Sequence, residues 1–172
     1  CSYTDDASKL KKMLGKDIQN QFLNLKTLYT ELALASPYSK IYVVGYPRFV
    51  RDQFFGACRL NVGALDPAER QMSDEATKYM NDNVEAAANA TGAKYMNIED
   101  SLIGGRLCES EAYVSGVTDV GIDKPSNEMF HPNAKGHDRI TQSIKQGLGE
   151  GKTLLNYEYV RETRTEELIN GL

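Results

Sequence analysis

The sequence predicts an α/β domain built on parallel strands, and three observations carry that expectation. A helical repeat of apolar residues is followed by a short β-rich run, a long second helical segment opens at Asp66-Pro67, and another β-rich run comes after it. Strand, helix, strand with a crossover of this length forms a right-handed parallel unit in nearly all proteins. At 172 residues, 41% of them hydrophobic, the chain is long enough for one modest core without metals or many disulfides.

The first helix is expected from about Asp17 to Ala35, where Ile18, Phe22, Leu25, Leu28, Tyr29 and Leu32 recur at helical spacing. Ser36-Pro37 stops it, because proline cannot continue the ladder and pushes its predecessor to extended geometry. Ile41-Tyr42-Val43-Val44-Gly45 then reads as a strand buried on both faces, and Tyr46-Pro47-Arg48 leaves it as a loop. The loop carrying Cys58 ends at Asp66-Pro67, an N-cap followed by the residue best suited to a first helical turn. The helix that follows should reach about Ala90, with Met72, Ala76, Met80, Val84 and Ala87 as its apolar stripe and Gly92 as its end. Tyr95-Met96-Asn97-Ile98 is the second strand, and Glu99 to Glu128 is loop-rich.

Asn133 should cap the last helix of the core, whose inward face would be His137, Ile140, Ile144 and Leu148. Beyond it, Lys152 to Leu172 is a charged tail: a β-like segment around Tyr157 with a short helix, or a linker. The expected division is a domain over 1–149 and a tail over 150–172. Two parallel strands expose apolar side chains on both faces and open backbone on both edges, so they do not make a stable sheet alone. More strands are expected from upstream sequence or another chain.

Twenty basic residues are interspersed with 24 acidic ones, which gives no electrostatic reason to expect a nucleic-acid or anionic-membrane partner. No apolar run is long enough to cross a bilayer, and Cys1-Ser2-Tyr3-Thr4 is unlike a signal peptide. Without an initiator methionine, the chain reads as a processed product or an excised segment of something longer. Cys58 and Cys108 lie in loop-like sequence without the short spacing of a metal or redox site. A Cys58–Cys108 disulfide is preferred over two free thiols, and it implies a secreted or extracytoplasmic setting. Cys1 reads as the partner of a cysteine upstream rather than as an N-terminal nucleophile. Asn89-Ala90-Thr91 fits a glycosylation sequon, though at a helix end.

The chemistry concentrates in Glu128-Met129-Phe130-His131-Pro132-Asn133-Ala134-Lys135-Gly136-His137. A serine or water nucleophile needs a base near neutral pKa, which only histidine offers unperturbed. The base needs an acceptor that fixes its tautomer, and Glu128 stands three residues before His131. The structural alternative is a histidine that merely ends a loop at a helix start. A metal site at His131 and His137 is a weaker reading, since two histidines without a convergent carboxylate or cysteine cluster rarely suffice.

This block, Phe-His-Pro-Asn-Ala-Lys-Gly-His with an acidic residue three before its first histidine, resembles the C-terminal block of the SGNH (GDSL) hydrolases, in their secreted esterase and lipase branch. Val43-Val44-Gly45-Tyr46-Pro47-Arg48 resembles that branch's fourth strand and exit loop, and the likeness covers roughly Asp17 to Leu148. It implies the C-terminal part of a three-layer α/β/α domain with a parallel sheet whose other strands lie upstream. It further implies His131 as general base and Glu128 at the triad's acidic position, usually aspartate in the family. His137 would be a packing or helix-end residue. No metal or organic cofactor is implied.

The family's Gly-Asp-Ser block, bearing the nucleophile, and its Gly-x-Asn-Asp block, bearing an oxyanion donor, have no counterpart here. Ser36, Ser39, Ser101, Ser115 and Ser126 lack a Gly-Asp context. The resemblance therefore implies a partner, an N-terminal segment or chain carrying both blocks, and a small ester or acylated substrate. By itself the chain should be close to inert, because losing one oxyanion donor alone costs about 10²–10³ in rate. The competing expectation is a non-catalytic, degenerate scaffold that binds glycan or protein.

Overall fold

In the computed structural model, which describes residues 3–51, 67–109, 111, 113–116 and 130–149, helix α1 spans Tyr3–Ala35. It starts well before the expected Asp17. The added segment is proline-free and rich in Lys and Leu, so the ladder continues through Gly15 at a cost of about 1 kcal/mol. Strand β1 is Tyr42–Val44, α2 is Pro67–Ala90, β2 is Lys94–Met96 and α3 is Ala134–Gly149. The strands pair in parallel with Tyr42 opposite Lys94 and Val44 opposite Met96, and α2 lies between them in sequence. The α/β class expected from the sequence is what the chain adopts. Cys1, Cys58, Glu128, Ser126 and the tail over 150–172 lie outside the described residues.

The described residues divide into two units, 3–45 with 78–97, and 46–51 with 67–77, 98–109, 111, 113–116 and 130–149. In the first, Phe22 and Tyr29 of α1 meet Val84, Ala86, Ala87 and Ala88 of α2 together with Ala93 and Tyr95. Gly45 closes β1 where a Cβ would overlap the Tyr95 phenol, so no side chain fits there. Helix α2 ends in a Schellman motif: the Ala93 amide donates to Ala88 O at 3.0 Å, the Gly92 amide to Asn89 O at 3.3 Å, and Gly92 takes φ +76°.

Burial of β1 on both faces is not observed. Tyr42 and Val44 are each 40% exposed, whereas Tyr95 and Met96 of β2 are buried. Period-2 alternation accounts for this, since the described core covers only the face that carries Val43.

The second unit packs Val50, Leu102, Leu107, Tyr113 and Val114, with Ile140 of α3 against them. Val50 bridges Leu107 in parallel, with Leu107 N donating to Phe49 O at 2.8 Å and Arg51 N to Leu107 O at 3.0 Å. In its first half α2 buries Arg70, Asp74 and Thr77. Met72 and Ala76, expected on the inward stripe, are only partly covered. Helix α3 likewise departs from its expected face. Ile140 and Ile144 are partly buried, but His137 and Leu148 are exposed, because the cluster reaches α3 only as far as Ile140.

Candidate functional site

The segment 130–133 runs antiparallel to 113–115 and enters α3 directly. Val114 bridges Pro132, and the Asn133 amide donates to Tyr113 O at 2.9 Å. The Asn133 side chain then caps α3, its Oδ1 accepting from the Gly136 amide at 3.1 Å. Gly136 itself is required by the docking. A Cβ there would overlap the Tyr113 carbonyl oxygen and lie 2.9 Å from Pro132 Cβ. Gly105 meets the same residue from another side, where a Cβ would run into the Tyr113 ring. Tyr113 is thus the wedge that sets this segment, and the Arg139 guanidinium lies 5.4 Å from its ring centre.

His131 is held by its backbone and presented by its side chain. Its carbonyl accepts from the Ser115 amide at 2.9 Å, and the Ser115 carbonyl accepts from the Phe130 amide at 2.9 Å. His131 is an exposed residue. His137, six residues further on in the first turn of α3, is exposed too, which corrects the expected packing on the inward face and leaves it a helix-end residue. Among the described residues no group of three or more His, Cys, Asp or Glu converges as a metal site would require. Ser36 and Ser39 are exposed near the end of α1, while Ser101 and Ser115 are partly buried.

Two charge clusters escaped the sequence reading. Arg48, from the Gly-Tyr-Pro-Arg loop, pairs through Nη1 with Asp74 Oδ1 at 3.3 Å, through Nε with Glu99 Oε1 at 3.4 Å and through Nη2 with Asp100. Its backbone amide also donates to Glu99 O at 2.9 Å. Burial pulls the guanidinium pKa down, but the Asp100 hydrogen bond and the charges of Asp74, Asp100 and Glu99 outweigh it and hold it above the ordinary arginine value. The cation thereby ties together three stretches of chain around positions 48, 74 and 99–100. Sequence shows charges but not which of them converge across long separations.

Glu109 closes the neighbouring loop. Its Oε2 accepts from the Gly104 amide at 2.9 Å and the Arg106 amide at 2.8 Å, and Oε1 accepts from Arg106 Nη2 at 2.9 Å. Burial alone would raise this carboxyl, yet the Arg106 contacts and the Gly104 amide together push it below the usual glutamate range. Cys108 sits between the two partners of this loop at φ +73°. At the sequon, the Thr91 hydroxyl is committed to Ala87 O and Ala88 O at 3.1 and 2.9 Å, and the Asn89 amide nitrogen is buried.

Among the described residues no helix is long and apolar enough to cross a membrane. No family model and no curated protein matches the chain. Among solved structures, the extracellular lipase from Streptomyces rimosus matches with a TM-score of 0.61 and 23% identity, over 76% of this chain and 53% of the lipase. The chain spans about half the length of that lipase chain. The likeness is one of fold.

Proposed function

We propose that this chain is the histidine-bearing portion of a serine esterase or lipase of the SGNH type. One observation carries the reading: on a fold shared with an extracellular lipase, the exposed residue His131 sits on a backbone pinned on one side by Ser115 and on the other by the capped start of α3. In the completed site a serine attacks the ester carbonyl and passes its proton to His131. The same imidazole returns it to the leaving alcohol, and water repeats the cycle on the acyl-enzyme. Glu128 is the proposed orienter of the ring.

The serine and the oxyanion donors come from a segment or chain carrying Gly-Asp-Ser and Gly-x-Asn-Asp. Two facts support that division of labour, the absence of both blocks from this sequence and a match that takes in 53% of the lipase. The proposed working unit is 1–149, with 150–172 as a tail. A secreted setting is proposed with it, supported by the extracellular source of the structural neighbour, and a Cys58–Cys108 disulfide is part of the same proposal.

The test is hydrolysis of a short p-nitrophenyl ester by the chain reconstituted with such a segment. Activity that His131→Ala lowers by about 10⁴-fold or more is the expected result. Activity indifferent to His131→Ala, or none in the reconstituted protein, sinks the esterase reading and leaves the non-catalytic binding scaffold.

A further inference from the structure

Phe130 and His131 together face the single residue Ser115. The Phe130 amide donates to Ser115 O and the Ser115 amide donates to His131 O, both at 2.9 Å, while Phe130 takes φ +63°. Two residues opposite one, with the first left-handed, is the hydrogen-bond pattern of a G1 β-bulge. The first position of such a bulge is glycine's by default, because an L side chain there crowds the following carbonyl. Here it carries a phenylalanine, a residue 42% exposed that belongs to neither core cluster. Neither backbone convenience nor burial explains an aromatic residue at this position.

We infer that Phe130 is a positioning residue for His131. The bulge breaks the alternation of strand side chains, so residues 130 and 131 leave the ladder as neighbours, and the ring restricts the imidazole to one rotamer facing solvent. Strain retained beside a reactive group then has a function, to hold the base ready before substrate arrives. The inference rests on the reading of His131 as the base.

The chain contains only two histidines, and exposed His137 serves as the internal reference. In the isolated chain, side-chain coupling constants measured by NMR report the χ1 rotamers of both. The expected result is a single rotamer for His131 in the native chain, loss of that preference to rotamer-averaged values in Phe130→Gly, recovery in Phe130→Tyr, and unchanged His137 throughout. Couplings of His131 that are the same in Phe130→Gly as in the native chain, with the amides of residues 115 and 130 still protected from exchange, overturn it. Should glycine loosen those amides, Phe130→Asn keeps a residue tolerant of left-handed backbone, and unaltered His131 couplings there overturn it equally. These signals are read without substrate. A failed ester assay leaves them standing, and unchanged couplings do not bear on His131 as a base.

Discussion

Replacing Gly136 by alanine sets two physical effects against each other at the site that presents His131. Helix propensity favours the change, with about 1 kcal/mol, the helix-interior figure, as the most that alanine gains over glycine in this first turn of α3. Packing opposes it. The new Cβ would overlap Tyr113 O and stand 2.9 Å from Pro132 Cβ and 3.2 Å from Tyr113 C. The first of these is backbone and cannot swing away as a side-chain end would. Overpacking of this kind costs about 1–3 kcal/mol. Moving α3 off Tyr113 also stretches the 2.9 Å bond from the Asn133 amide to Tyr113 O, worth about 1 kcal/mol. Packing wins, and the expected outcome is a loss of about 2 kcal/mol, read as a fall of about 1 M in the urea midpoint. Hydrogen exchange should show the Ser115 and Asn133 amides opening first. A variant as stable as the native chain, or more stable, would refute the docking of α3 on Tyr113, because propensity alone predicts that sign.

Two further outcomes follow from the loops around the site. Asn133→Ala removes the cap on the Gly136 amide and should cost about 1 kcal/mol in a denaturation midpoint, with no change if the cap contributes nothing. Glu109→Gln should cost about 2–3 kcal/mol, since it leaves Arg106 without its anionic partner at a site where both side chains are about nine-tenths buried. Because the Glu109 carboxyl is depressed in the folded protein, its contribution is present above the unfolded value of about 4.3 and is lost as pH falls through the folded value. Urea midpoints measured from pH 7 to pH 3 should therefore fall less steeply for Glu109→Gln than for the native chain. Parallel pH profiles would sink that assignment.

What was legible beforehand was what local chemistry encodes. The spacing of Phe22, Leu25 and Tyr29 marked α1, Pro67 and Gly92 bracketed α2, and Asn133 announced the start of α3. These signals act over a few residues, where propensity and capping operate. Periodicity failed where burial depends on what else is present. Tyr42 and Val44 read as core by composition and stand 40% exposed, and His137 and Leu148 share a helical face with Ile140 yet lie outside the cluster it joins.

The sequence by itself determined the α/β order of elements and singled out His131, because a histidine before proline at a helix start is readable from neighbours alone. Only the tertiary structure decided how that histidine is held. The Ser115 bulge, the left-handed Phe130, the wedge of Tyr113 between Gly105 and Gly136, and the convergence of Asp74, Glu99 and Asp100 on Arg48 all join residues distant in the chain. Such pairings are set by steric fit and by the burial of charge with its partner, terms that exist only once the chain has closed on itself.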